Sequence, residues 1–365
     1  MLYKLVKNFE ILRFVNPINI EQEKKKFIRS KGSYTPQFKY KHLNINPFML
    51  KRKLMNLPVE EIDDVHIQRL YEQVINAYCD KVELLASIGT DRFLYNSLRY
   101  FGEPSEKDIA NAKFILHFKD EPVKANGVMD DQEALKILKK ELKQYDFDCN
   151  IKLSDKLAAK AMVVNSEKTL YLKKGSKFTH NEIYSLVHHE IGVHMVTTMN
   201  ADAQPIKLFS MGMPVNTKTQ EGLAIMSEYY SNTLTVKRLK TLSLRVVGIA
   251  SMIKDHDFNV TANMLMHDYG IEIEEAFYLT TRIFRGGGFT KDYLYLSGLK
   301  EVSTLMKDEG YDDLMIGKTH HNYLDLINEM IDRKLILAPI HKNPAYAKNL
   351  NENPLVDYII ANIQE

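Results

Sequence analysis

The chain has 365 residues, and its 49 Lys plus Arg nearly balance 47 Asp plus Glu, for a formal charge of +2. With 45% hydrophobic and 26% charged residues, it is excluded from the disordered class, and it offers no global field for nucleic acid or an anionic membrane. Two cysteines, Cys79 and Cys149, exclude a disulfide framework and a Cys-rich zinc module, so any metal must be held by His and carboxylates.

No apolar run reaches the roughly 18 residues of a membrane span, and charges break up the start where a signal peptide would need an apolar stretch. The expectation is a soluble, cytoplasmic protein. The first fifty residues read as irregular, with a solvated cationic face at Lys24-Lys25-Lys26. From Pro58 to about Leu98, Ile62, Val65, Leu70, Val74 and Ala77 recur at helical spacings. Gly102-Glu103-Pro104-Ser105 is a break, and Ser105 is placed to cap a helix running to about His117. Residues 131–145 read as a surface helix with Ala134, Leu138 and Leu142 on one side.

The character then changes. Residues 150–153 alternate as a strand does, and 161–164 with 169–172 read as a hairpin around Asn165-Ser166-Glu167-Lys168. Helices are expected near 180–198, 219–245, 258–267, 271–284, 291–307 and 320–333. The fold class is α+β, mainly helical, with a small sheet ahead of the helix at 180. The expected organisation is a helical N-terminal region, 1–104, packed on a unit of 105–365.

The segment His188-His189-Glu190-Ile191-Gly192-Val193-His194 contains H-E-x-x-x-H, one residue longer than the H-E-x-x-H zinc-protease signature. In an ideal helix, residues i and i+5 point about 140° apart, at roughly 100° per residue. For His189 and His194 to share a metal, the helix must widen locally, as in a π-bulge. Gly192 lies inside that distortion and would ease it. Glu190, beside the first histidine, is placed to take a proton from an activated water. A zinc site of this kind needs a third protein ligand. Glu221, in Thr217-Lys218-Thr219-Gln220-Glu221-Gly222, is the best candidate, with Thr217 and Gln220 read as a capping box. Glu228, seven residues on, returns to the same face as a supporting partner or alternative ligand.

The strings HHEIGVHMVTTMN and QPIKLFSMGMPVNTKTQEGLAIMSEYY resemble the bacterial QEGLA-motif proteins, relatives of the microtubule-associated tyrosine carboxypeptidases. Phe284-Arg285-Gly286-Gly287-Gly288-Phe289-Thr290-Lys291-Asp292-Tyr293 is similar to that family's second signature. The resemblance implies a zincin-like metallopeptidase. It implies Zn2+ on His189, His194 and Glu221, with Glu190 as general base. Asn200-Ala201 stands where the bacterial proteins carry Asn-Gly.

A carboxypeptidase must also hold the substrate's terminal carboxylate and the oxyanion on the attacked carbonyl. Arg282, Arg285, Lys291 and Tyr295 fall within fourteen residues around a glycine triplet. Arg285 or Lys291 is read as the carboxylate anchor and Tyr295 as an oxyanion donor. Leu170 and Tyr171 sit in a strand expected to offer a free edge to extended substrate. His320-His321 reads as structural. The leading expectation is a zinc carboxypeptidase acting on a peptide or protein C-terminus, with no nucleic-acid or membrane partner. The alternatives are a non-catalytic regulator on the same fold, and an aminopeptidase or dipeptidyl peptidase, which would need a carboxylate such as Glu228 for a free amine. The sequence does not address oligomeric state.

Overall fold

The computed structural model describes residues 1–7, 9, 11–43, 45–120, 127–155, 157, 159–307 and 311–364, with residue 13 by its backbone alone. Helices dominate, and five short strands form two small sheets among the described residues. Packing groups the chain into two units. One comprises Met1–Lys119 and Arg238–Leu296, the other Asp120–Lys237 and Ser297–Ile363. The sequence reading cuts the chain once, after 104; the packed units are each assembled from two separated segments. No helix among the described residues is long and apolar enough to cross a membrane.

In the first unit, the stretch expected to be irregular carries helices at Leu2–Val6, Leu12–Val15, Ile20–Arg29 and Pro47–Met55. They are short, so a periodicity window spanning several turns does not see them. Phe27, from the third, packs with Phe258, Ala262 and Phe277. The Phe27 and Phe258 rings meet edge to face at 5.6 Å. Burying such a side chain stabilises by about 1.5–3 kcal/mol. The helical stretch expected over 58–98 divides into Val65–Ala86 and Arg92–Phe101, with Gly89 at φ +77° in the turn between them. Ser105 caps the next helix as expected, and does so in a capping box with Asp108.

In the second unit, β1 (Val128–Met129) pairs antiparallel with β5 (Phe178–Thr179). A second sheet has the order β2-β4-β3, where β2 is Asn150–Ser154, β3 is Ala161–Val164 and β4 is Thr169–Lys173. β4 runs parallel to β2 and antiparallel to β3. This corrects one expectation. β4 lies in the centre of its sheet with partners on both sides, so Leu170 and Tyr171 have no free edge to give a substrate. Leu170 is fully buried and the Tyr171 hydroxyl donates to Glu167 at 2.6 Å.

A continuous helical rod follows, built from Thr179-capped His180–Leu186, a π-helix at Val187–Met195 and Val196–Ala203. The helix expected over 219–245 is two, Asn216–Tyr230 and Val236–Asp255. Asn232 breaks them apart at φ +59°, a left-handed conformation that Asn tolerates.

Candidate metal centre

The π-helix supplies the widening that H-E-x-x-x-H needs. Its i→i+5 bonding stacks residue i+5 over residue i, which brings His194 round to the side of His189. The two imidazole rings lie 5.0 Å apart. Distorted turns leave carbonyls to satisfy, and small polar side chains do so here. Ser227 Oγ donates to the His188 carbonyl at 2.9 Å, and Asn343 Nδ2 donates in turn to Ser227 Oγ at 2.8 Å. Thr197 Oγ1 donates to the Val193 carbonyl at 2.9 Å and Thr198 Oγ1 to that of His194 at 2.7 Å. Gly192 has a further reason beyond backbone ease: a Cβ there would sit 2.9 Å from the Asn343 amide and 3.0 Å from Tyr145 Oη.

Glu221 comes from Asn216–Tyr230, a helix buried on every side from Thr219 to Glu228. The capping box expected at Thr217 is absent. The helix starts two residues earlier than a Thr217 cap would set it, after Val215 at φ +54°, and Gln220 instead donates to the Gly317 carbonyl at 3.1 Å. Gly222 sets the depth of the helix. A Cβ there would lie 2.2 Å from the Gly298 carbonyl oxygen, so two helix backbones touch.

These elements bring three sequence-predicted donors together. His189 Nε2 and His194 Nε2 each lie 3.7 Å from Glu221 Oε2. One ligand atom from each of the three residues falls within 4.8 Å of the others. Ligand bonds of about 2.0–2.2 Å in a tetrahedron separate their donor atoms by roughly 3.4 Å, close to what is seen. Glu228 Oε1 sits 2.7 Å from His189 Nδ1, with both groups buried. That contact puts the proton on Nδ1 and leaves the Nε2 lone pair facing Glu221 and His194. Burial alone would lower the His189 pKa, but Glu221, Glu228 and Glu190 outweigh it and push it up to about 10. The surroundings therefore demand a positive charge at this point, which a cation meets as well as a proton. Neighbouring His188 is pushed down to about 4 by burial and stays neutral. Glu190 is half-buried on the same π-turn. The residues present fit a divalent metal with nitrogen and oxygen ligands.

Glu301, His320 and His321 form a second cluster of ligand types. Here His320 Nδ1 accepts from the Asn322 backbone N–H at 3.2 Å, so Nε2 keeps its proton and has no lone pair for a metal. Around Glu301, Lys218 Nζ and His321 Nδ1 each lie 2.7 Å from a carboxylate oxygen, and Thr219 Oγ1 donates to it at 3.3 Å. These contacts tie Glu301 and His321 to the first turn of the Glu221 helix.

In the other unit, the basic segment is not a solvated loop. Arg285 is 6% exposed, and Asp292 is fully buried. Arg282 Nε donates to Asp292 Oδ2, and Arg282 Nη2 donates to Asp292 Oδ1 at 3.2 Å. Arg285 Nη2 lies 3.7 Å from Asp292 Oδ1, its Nη1 donates to Asn16 Oδ1 at 3.0 Å, and its guanidinium covers the Phe289 ring at 4.6 Å. Burial would raise the Asp292 pKa, but Arg282, Arg285 and Arg245 hold it far below the usual carboxylate range. Lys291 Nζ donates to Tyr295 Oη at 3.2 Å. Asp292, Arg245, Ser227 and Asn343 were not singled out by sequence reasoning. Asp292 is the one acid among the four cations of residues 282–295 and Arg245, a charge contrast that points to it. Cys79 and Cys149 are half-buried free thiols.

The family model described as microtubule-associated tyrosine carboxypeptidase matches residues 25–364. The chain belongs to that family. The mouse (Mus musculus) protein MATCAP2, itself described as a candidate tyrosine carboxypeptidase, is 22% identical over 374 residues. The match covers 97% of this chain and 64% of the mouse protein, so the chain spans under two thirds of that relative's length. All three convergent donors, and Glu228 behind them, lie inside the span matched to the tyrosine carboxypeptidase model.

Proposed function

We propose that the chain is a zinc-dependent, zincin-like carboxypeptidase that removes residues from the C-terminus of a peptide or protein. The observation that carries this is the convergence of His189, His194 and Glu221 on one point, with Glu228 fixing the tautomer of His189. Membership of a carboxypeptidase family supports it. His189 and His194 through Nε2 and Glu221 through a carboxylate oxygen would hold the ion, a donor set typical of catalytic zinc. When bound, zinc supplies Lewis acidity that makes water a nucleophile near neutral pH.

The rest falls to the chain's own groups. Glu190 accepts a proton from the attacking water and returns it to the leaving amine. Glu228 keeps His189 oriented. A carboxypeptidase also needs positive charge for the terminal carboxylate and a donor for the developing oxyanion. The finer placement beside the bacterial QEGLA-motif proteins, and a reducing, cytoplasmic setting for the two free thiols, belong to the same proposal.

Replacing Glu190 by Gln tests the mechanism. The variant is expected to bind one zinc per chain and to lose about 10²–10⁴-fold in kcat/KM. Full turnover in the variant would remove Glu190 from the mechanism.

A further inference from the structure

Arg245 carries a buried charge for which its unit supplies no dedicated counter-ion among the described residues. Its side chain is 9% exposed, and its Nε has no hydrogen-bond partner among the described residues. Its guanidinium lies 5.4 Å from the centroid of the Tyr295 ring. The carboxylate within its electrostatic reach is Asp292, and Asp292 is already engaged by Arg282 and faced by Arg285. Three guanidiniums thus share one buried carboxylate. Arg285 Nε and Nη2 likewise lack hydrogen-bond partners among the described residues. Burial, reinforced by the neighbouring arginines, pushes Arg245 down to about 9, so its charge is held at a cost to the fold. A buried donor left in this state calls for an explanation, and a bound group that completes it is one.

There is room for one. Arg245 and Arg282 line a cavity of about 460 Å³ walled by Tyr278 and Leu279. Glu272, Glu274 and Glu275 complete the lining, and Glu274 is held by Lys24 at 2.8 Å. A guanidinium matches a carboxylate through two parallel N–H donors, while surrounding acids disfavour a ligand carrying several negative charges. We propose that this cavity docks a single α-carboxylate on Arg245, with an apolar side chain against Tyr278 and Leu279. Two sources share that chemistry, a peptide C-terminus and a free amino acid. In naming substrate or product as the ligand, the inference rests on the carboxypeptidase reading, but its test reads binding and not turnover.

The test is calorimetric titration of the full chain carrying Glu190→Gln. The ligands are the tripeptide Gly-Gly-Phe, its C-terminal amide, free phenylalanine and inorganic phosphate. The acid is expected to bind about tenfold or more tighter than the amide, as a charge-assisted pair at a buried fork requires. Arg245→Gln should erase that ratio while the melting transition persists. Phenylalanine binding as tightly as the tripeptide assigns the site to free amino acids, and weaker binding assigns it to peptide ends; both uphold it. If Arg245→Gln does not fold, Arg245→Lys keeps the charge without the fork and should retain only a fraction of the discrimination. An acid-to-amide ratio unchanged by either substitution overturns the proposal, as does phosphate binding as tightly as the tripeptide. A loss of turnover in the parent with this ratio intact would sink the peptidase reading and leave the site standing.

Discussion

Glu228 should control how tightly the proposed centre would hold metal, through its contact with His189. Its Oε1 lies 2.7 Å from His189 Nδ1, and it is 1% exposed, so neither group has water as a substitute partner. Removing the partner of a metal-bound imidazole typically costs about 10–100-fold in affinity. That range corresponds to about 1.4–2.8 kcal/mol. Glu228→Ala also leaves the Nδ1–H buried with no acceptor, a further cost of about 1–3 kcal/mol to the fold. Glu228→Gln retains an acceptor oxygen and loses only the charge, so it should fall between Ala and the parent. Zinc competition against a chromophoric chelator reads the affinities.

The metal-free protein provides a second readout of the same contact. His189 has its pKa raised to about 10 in the folded chain, from an ordinary value of 6.5. Between these pH values the folded state binds more protons than the unfolded one, so stability falls as pH rises. The contribution is complete below pH 6.5 and gone above about 10. Glu228→Ala removes one of the two hydrogen-bonded carboxylates responsible, so its alkaline loss of stability should be smaller and be complete at a lower pH. A zinc affinity for Glu228→Ala within twofold of the parent would refute the positioning argument.

The close contact at Gly222 makes Gly222→Ala more harmful than a surface substitution. Its Cβ would fall 2.2 Å from a backbone oxygen that cannot rotate away, so the two helices must part. A loss of about 1–3 kcal/mol or more is expected, and a melting temperature within one degree of the parent would contradict it. Val215 is 52% exposed at φ +54°, a conformation costing a β-branched residue about 1–3 kcal/mol. Val215→Asn should therefore raise the melting temperature, and an unchanged or lower one would show that the strain is offset by packing.

Sequence spacing carries the local geometry of the centre well. The five-residue interval between His189 and His194 predicts a widened helix, and a nine-residue π-helix stands there. Spacing says less about what lies beside an element. β4 has the alternation of any half-buried strand, and nothing in its residues tells a central strand from an edge. Gly192 and Gly222 have their reasons in Asn343, Tyr145 and Gly298, between 47 and 151 residues distant, beyond the reach of a local pattern. The capping box at Thr217 fails because tertiary contacts recruit Gln220 to the Gly317 carbonyl. Arg282 and Arg285 read as candidate carboxylate anchors, and nothing local shows that Asp292 is buried between them. Three charges within eleven residues of sequence become a packed cluster only because the glycine triplet, at φ between +76° and +120°, turns the chain back.

The central claim is that this centre removes residues from a C-terminus. The most direct measurement is mass spectrometry of a mixed peptide library incubated with the zinc-loaded chain, alongside the same library carrying C-terminal amides. The account predicts stepwise loss from free C-termini, protection by the amide, and no loss with Glu190→Gln despite full zinc occupancy. Shortening from the N-terminus, or equal cleavage by Glu190→Gln, would contradict it.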